Sequence, residues 1–485
     1  MRLILNDNAY KGVSLEDAND DKSDDDYATA YEDLLSIAEK DLDKLLDKGS
    51  LIYFGRDETG IDAERIFELS FAKLSGAEAV SSDDVFGKAL IKTGNIAGFI
   101  QSGRTQVSIN SRFYDRAGSS DYFLYYLLMK LNNINIANLD DRDFKNNDNI
   151  LNLLILAFPF FLNKAFRFGI FRAYRTFEYD NSCVKGQIDI PKFLKRDVPF
   201  MGKISHKFRE FASDNYLLEL VRHTIEYIKQ TPFENVLSSQ TTTRSNVRSC
   251  IELTPSYRKS ERAKVRQKNL KAIHHPYYRA YAALQRLCLM ILQGKKIIYD
   301  SNDTTNRLSG IIFDVAYLWE EYLASMLKKD LGFEHPENKS GKGGIRMFDN
   351  DSDEDSINYG ILHRRIYPDF YKRVEGEPNE SFILDAKYKN LDGSLKRDDL
   401  YQVVTYMHTM RIDNGGFIYP TRADRGSDGL KCTKHLLAGY GGSVFRIGFP
   451  VPQNKNNFHE FKKAIEQYEE GLVKLIGGEM DMGRF

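Results

Sequence analysis

The sequence predicts a multidomain α/β protein in three parts. These are a β-rich N-terminal module over residues 1–121, a mainly helical middle domain over 122–299, and an α/β core over 300–485 with a mixed sheet flanked by helices. Three observations predict this. At 485 residues the chain exceeds one ordinary domain. Its apolar pattern changes near Tyr122 from short alternating runs to helical spacing. Beyond residue 300 helical and extended patterns interleave, as they do where helices cover a sheet.

The elements follow in order. Residues 15–48 are rich in Asp, Glu and Lys, with an acidic run at 20–26. From Tyr27 to Leu46, the residues Leu34, Leu35, Ile37, Ala38, Leu42, Leu45 and Leu46 recur at helical spacing, predicting a charged surface helix beside a solvated loop. Leu51–Phe54, Gly94–Gln101 and Thr105–Asn110 alternate and read as strands. Tyr122–Leu131, Ile150–Phe166, Tyr216–Ile228 and Tyr277–Leu292 have helical period. A polar linker at 300–308 leads to a helix over Ile311–Lys329 and a Gly-rich, acidic break at Gly341–Ser356. Extended segments at 360–372 and 381–389, a helix over Arg397–Arg411, strands at Gly416–Tyr419 and Ser443–Pro450, and a closing amphipathic helix over Phe458–Ile476 complete the core.

Composition excludes several classes. Lys+Arg (68) and Asp+Glu (69) cancel, so net charge is silent about an anionic partner and distribution decides. Three basic clusters lie in the middle domain, within 164–175, 185–209 and 258–271, the first interleaved with Phe166, Phe168, Phe171 and Tyr174. Together they suit a phosphate backbone, although each alone reads slightly better as a solvated helix face. Four cysteines without a Cys-x-x-Cys pair speak against a zinc site or disulfide scaffold and suit a reducing cytoplasm. The longest apolar stretch, Ile150–Leu162, contains Asn152 and Pro159 and reads as too short for a bilayer, so a cytoplasmic protein with no membrane partner is expected. No phosphate loop or Gly-x-Ser-x-Gly elbow occurs, since Gly341-Lys-Gly-Gly344 lacks the Gly-Lys-Ser/Thr ending.

The chemistry concentrates in Ile366-Tyr-Pro-Asp369 and Ser381-Phe-Ile-Leu-Asp385-Ala-Lys387-Tyr388. Residues two apart on a strand share a face, so Asp385 and Lys387 point into one cleft, and Asp369 on the neighbouring strand can turn toward them. Two carboxylates and an ammonium converging this way can hold Mg²⁺, or Mn²⁺ in its place, and a water beside a phosphate. Gln402 and Tyr406 lie one turn apart on the following helix, where they would position the lysine or the phosphate. Glu320 or Glu321, in Leu-Trp-Glu-Glu-Tyr-Leu, adds a third carboxylate. The plain alternative is an exposed strand-end ion pair of Asp385 and Lys387.

At these residues the chain resembles the McrC family, the nuclease subunits of McrBC-type restriction systems that cut modified DNA. The resemblance also takes in Gly94-Asn-Ile-Ala-Gly-Phe-Ile, Val107-Ser-Ile-Asn, Phe166–Tyr174, Val184-Lys-Gly-Gln-Ile-Asp189, Asp214-Asn215 and the Tyr277–Leu292 helix. It is closest over Pro368-Asp369, Asp385-Ala-Lys-Tyr388 and Leu400-Tyr-Gln-Val-Val-Thr-Tyr406. The resemblance implies a PD-(D/E)xK nuclease core with Asp369, Asp385 and Glu320 on Mg²⁺, and Lys387, Gln402 and Tyr406 completing the site. It implies two partners: double-stranded, modified DNA, and a McrB-like AAA+ GTPase hexamer that recognises and translocates it, into whose ring the N-terminal part of the nuclease subunit inserts. The chain departs from the family at Gln187, where an Arg is usual, and in the acidic 15–48 and polar 335–358 stretches. Two other readings stand beside this one. A RecB-like repair exonuclease would share the Gln-x-x-x-Tyr helix, and a non-catalytic DNA-binding or motor-activating adaptor would not cut.

Overall fold

The computed structural model describes all residues except 21–25, 39, 41, 48–50, 57–65, 72–85, 115–119, 135–148, 295–307, 337–343, 349–363, 377–379, 394, 424–428, 440 and 479–485. Most of the acidic run at 20–26, the linker at 300–308 and the break at Gly341–Ser356 lies outside the described residues. The chain divides into two compact units: Met1–Leu131, Asp140–Asn149 and Ser301–Phe485 form one, Asn132–Leu139 and Ile150–Asp300 the other.

In the first unit, one mixed sheet joins residues from both ends of the sequence. Its strands are β1 (Arg2–Asn6), β2 (Leu51–Phe54), β3 (Ile96–Ser102), β4 (Thr105–Asn110) and β5 (Ser309–Asp314), in the spatial order β1-β4-β3-β5-β2. β5 runs antiparallel to β3 and parallel to β2. This corrects the expectation that a helix starts at Ile311. Gly310-Ile-Ile-Phe313 is a short run buried throughout, which fits a central strand, and Asp314 ends it by accepting the Tyr317 N–H in its side chain at 3.0 Å. The helix therefore begins at Val315. The boundary expected at residue 300 does separate the two units, but the N-terminal module and the C-terminal core, expected as separate domains, fall in one unit, where β5 completes the N-terminal sheet.

Helix α1 (Tyr27–Ala38) is charged on one side, as read, but it is not a surface appendage. Leu34 and Ile37 are buried in one cluster with Leu3, Leu5, Val107 and Ile109. Removing each such side chain from water contributes about 1.5–3 kcal/mol. Asp33 on the same helix accepts hydrogen bonds from Arg104 N, Thr105 N and Thr105 Oγ1 at 3.0, 3.1 and 2.8 Å. The helical pattern read to Leu46 is interrupted, and a separate helix spans Leu42–Asp47.

Helix α2 (Tyr122–Leu131), expected in the middle domain, belongs to the first unit. It packs on α3 (Val315–Leu331), which runs from β5, and on the closing helix α5 (Phe458–Ile476). The buried Glu469 of α5 ties them: it accepts from Tyr126 Oη at 2.6 Å, Tyr322 Oη at 2.9 Å and Lys130 Nζ at 2.8 Å.

A second mixed sheet in this unit has the order β6-β7-β8-β10-β9. Its members are β6 (Phe370–Lys372), β7 (Phe382–Ala386), β8 (Asn414–Ala423), β9 (Lys431–Leu436) and β10 (Ser443–Pro452). The central strands β7, β8 and β10 are mutually parallel, and the outer two are antiparallel to their neighbours. Helix α4 (Arg397–Met410) crosses between β7 and β8, with Val403, Tyr406, Met407 and Met410 in a core shared with Ile383 and Phe417. Gly415 permits this approach, since a Cβ there would meet Met407 Sδ at 2.6 Å.

The second unit holds helices Asn149–Arg167, Tyr216–Ile228, Thr241–Glu252, Arg262–Lys268 and Arg279–Gln293. It also has an antiparallel three-stranded sheet of Ala173–Asn181, Ile204–Ala212 and Gln187–Ile188, which the expectation of a mainly helical domain did not include. The apolar run at Ile150 extends into a 19-residue helix, long and apolar enough by length and composition to cross a membrane, correcting the reading that it is too short. Its apolarity is accounted for by packing, since Leu154, Ile155, Leu156, Phe158, Phe161 and Leu162 are buried within the fold. The basic clusters are partly neutralised. Arg175 is buried against Asp214 and Glu219 at 3.1 and 2.9 Å, and Lys192 pairs with Glu178.

Candidate active site

The site forms where β6 meets β7. Phe382, Ile383 and Leu384 make β7 a buried central strand, and its end carries Asp385, 1% exposed, and then Lys387. Lys387 N donates to Ile418 O at 3.0 Å, so the pairing with β8 still holds the chain there. The antiparallel register sets Phe370 against Leu384, which places Asp369 across from Asp385. Asp369 Oδ2 accepts the N–H of Ala386 at 2.9 Å.

Lys387 Nζ lies 2.7 Å from Asp385 Oδ2 and 3.7 Å from Asp399 Oδ1, and donates to Gln402 Oε1 at 3.2 Å. From Gln402 the chain of contacts continues: its Nε2 donates to Tyr406 Oη at 2.6 Å, and Tyr406 Oη donates to Tyr367 O at 3.1 Å. Helical spacing on α4 thus aligns Gln402 with Tyr406, and their bonds reach from the lysine to the backbone just before Pro368. The Asp385–Lys387 pair is not an exposed strand-end ion pair, because the two side chains are only 2% and 19% exposed.

Glu320 comes from α3. It is buried, whereas Glu321 is half-buried. His335 bridges this helix to the strands: its Nδ1 is 2.7 Å from Asp369 O, and its Nε2 is 3.8 Å from Glu320 and 3.9 Å from Glu321. A carbonyl oxygen only accepts, so the Nδ1 carries the proton in that bond. The His335 ring stacks on Phe370 at 4.8 Å, which fixes its plane. Arg56, just beyond β2, pairs with Glu320.

Sequence reasoning missed Asp399, His335 and Arg56. Asp399 had a signal, lying three residues before Gln402 on one helix face. His335 and Arg56 had none, since long-range pairing alone brings them in.

The electrostatics follow from burial. Burial pushes Asp385 up to about 7, and the Asp369 charge pushes the same way, against Lys387. Burial likewise raises Asp369, opposed by the Ala386 N–H and by Lys387, Arg56 and His335. For Lys387, burial alone would lower the value, but the carboxylates of Asp385, Asp369 and Asp399 outweigh it and hold the ammonium above the ordinary lysine range. Two buried carboxylates that resist joint ionisation form a site where a divalent cation relieves repulsion. Asp385 Oδ2 has the Lys387 ammonium at 2.7 Å as its one cationic neighbour within bonding distance among the described residues, which leaves a lone pair for such an ion.

Among the described residues no three His, Cys, Asp or Glu side chains gather into a ready-made metal cage. The Asp369–Asp385 pair, into which Glu320 is not gathered as a third member, fits Mg²⁺, which takes one or two carboxylates and completes its shell with water and phosphate oxygens.

No curated protein sequence matches the chain. Among solved structures, a chain of the "refined half-complex from tetradecameric assembly of Thermococcus gammatolerans McrB AAA+ hexamers with bound McrC" is 14% identical. The alignment covers 98% of this chain and 100% of that chain, with a TM-score of 0.43. A chain of the cryo-EM structure of the Thermococcus gammatolerans McrBC complex is 12% identical over 68% of this chain and 88% of that one, with a TM-score of 0.29. Residues 91–420, well over half of the sequence, match the family model described as "McrBC 5-methylcytosine restriction system component". The chain belongs to this family of McrBC restriction system components.

Proposed function

We propose that this protein is the Mg²⁺-dependent DNA endonuclease subunit of its restriction system, with a PD-(D/E)xK core built on β6, β7 and α4. In this reading it cleaves double-stranded, modified DNA when engaged by a McrB-like AAA+ GTPase hexamer, which it activates. The observation that carries the reading is the convergence of Asp369, Asp385 and Lys387, with Lys387 Nζ 2.7 Å from Asp385 and Asp369 bonded to the backbone between them. Family membership supports the assignment to a restriction system.

Asp369 and Asp385 would hold Mg²⁺, with Glu320 approaching from α3. Bound there, the ion would lower the pKa of a water and offset charge building on the phosphate. The residues of the chain divide the remaining work. The charged Lys387 has no lone pair, so it acts as a donor that orients the attacking water and balances the non-bridging oxygens. Gln402 anchors that ammonium, and Tyr406 anchors Gln402 to the backbone ahead of Asp369. Burial of the cluster keeps these charges poorly screened and therefore effective.

The test is a plasmid assay with purified protein, its GTPase partner, GTP, Mg²⁺ and methylated DNA. Double-strand breaks are expected with wild-type protein and none with Lys387→Ala. Intact plasmid with the wild type, or equal cutting by both, rejects the reading. Digestion from DNA ends without any motor would point instead to a repair exonuclease.

A further inference from the structure

One cation beside the carboxylates has no place in the scheme above. Arg56 follows β2, which lies parallel to β5 with Phe54 against Phe313. Since β5 leads into α3, the end of β2 falls beside the start of the helix that carries Glu320. Tyr53 Oη fixes this junction by donating to Asp314 Oδ2 at 2.9 Å. There the Arg56 guanidinium meets the Glu320 carboxylate. The two partners differ in environment: the Arg56 side chain is 48% exposed, the Glu320 side chain 9%. The carboxylate is buried in the protein, whereas about half of the Arg56 side chain is open to solvent. Its charge also extends further into the site, where it favours the ionised form of Asp369.

We infer that Arg56 stands in for the divalent cation at Glu320 while the site is metal-free, and moves to the scissile phosphate once the cation is bound. The inference rests on the nuclease reading and deepens it by assigning a phosphate ligand from the N-terminal sheet. A guanidinium suits both positions, because its fork of N–H donors matches carboxylate and phosphate alike. The exchange conserves charge at Glu320: one cation replaces another, and the displaced one meets the anion that arrives with the substrate.

Two measurements on the full chain test this. The first is calorimetric titration of Mg²⁺ and Mn²⁺ into wild type, Arg56→Ala and Arg56→Lys. Removing a competing, half-exposed cation should tighten metal binding by up to roughly fivefold in Arg56→Ala. Arg56→Lys should stay near wild type. A residue that merely propped up the fold would not improve metal affinity when removed. The second is single-turnover cleavage of methylated plasmid with the motor, where Arg56→Ala should lose at least about tenfold, as for deletion of one donor to a developing oxyanion. Arg56→Lys should recover part of that loss. Metal affinity in Arg56→Ala that equals or falls below wild type overturns the stand-in role. Tighter binding with wild-type cleavage overturns the move to phosphate. If wild type binds metal and cuts while the variants match it, only the Arg56 inference fails; if wild type does neither, the nuclease reading fails with it.

Discussion

Asp385→Asn gives a prediction whose size comes directly from the site. The carboxyl is buried, and its environment holds it at about 7 against an ordinary value of 3.8. The folded protein therefore favours the protonated acid, while the unfolded chain ionises it freely. The stabilising contribution of this group is fully present below pH 3.8 and is lost as pH rises through 7. Asparagine imitates the protonated acid and does not titrate. In the absence of divalent metal, Asp385→Asn should be the more stable protein, by about 2 kcal/mol at pH 5 and on the order of 4 kcal/mol at pH 8, with a plateau above. Lys387 keeps Gln402 at 3.2 Å and Asp399 at 3.7 Å, so the substitution does not strand its charge. Chemical denaturation in EDTA across pH 4–9 measures the difference.

Adding Mg²⁺ should reverse the ranking. A ligand that binds only the folded state stabilises it by mass action, and Asp385→Asn loses that ligand's oxygen. A wild-type protein more stable than Asp385→Asn at pH 8 without metal, by a margin unchanged at pH 5, would refute the reasoning. It would mean that Asp385 serves as an ordinary structural ion-pair partner.

Three further outcomes are expected. Lys387→Ala should reduce cleavage by about a hundredfold or more while calorimetry still detects Mg²⁺ binding, because the lysine acts on water and phosphate and not as a metal ligand. Tyr406→Phe removes the bonds to Gln402 and to Tyr367 O and should cost about 1 kcal/mol in denaturant unfolding, with a several-fold loss of cleavage. Glu469→Ala strips three donors of their acceptor in a buried junction and should lower stability by about 3–5 kcal/mol, read as an earlier unfolding midpoint at unchanged pH.

How far the sequence could be read depended on the range over which each feature is determined. Tyr216–Ile228 and Phe458–Ile476 match the helices read from apolar spacing, because an amphipathic face is written into neighbouring residues. Thr105–Asn110 alternates buried and half-buried along its whole length and was legible for the same reason. The three-stranded sheet around Ala173–Asn181 was not. Its strands are crowded with charged residues and leave Tyr174, Ile188 and Phe211 exposed, so neither a polar nor an apolar face stands out. Arg175 shows the same limit for charge: in sequence it belongs to a basic cluster, yet its guanidinium is spent inside the fold on Asp214 and Glu219.

At the site, proximity along the chain separates what was visible from what was not. Asp385 with Lys387, and Gln402 with Tyr406, are spaced by two and four residues, and strand or helix geometry alone aligns each pair. Their meeting across β7 and α4 was anticipated from the helix that follows the strand, and the resemblance pointed the same way. Arg56 and His335 needed more, since nothing local in their segments hints at a carboxylate. Strand pairing decides them: β2 reaches Glu320 only because β5 leaves the C-terminal region to complete the N-terminal sheet. That pairing has a mechanical consequence. Force or displacement applied to β1–β4 acts on β5, and β5 continues directly into the helix bearing Glu320. A stand-alone core cut at residue 300 would lose both partners of β5 along with Arg56, exposing the buried backbone of Gly310–Phe313. The N-terminal module is therefore part of the site's architecture, and any partner that engages it touches a body continuous with the carboxylate cluster.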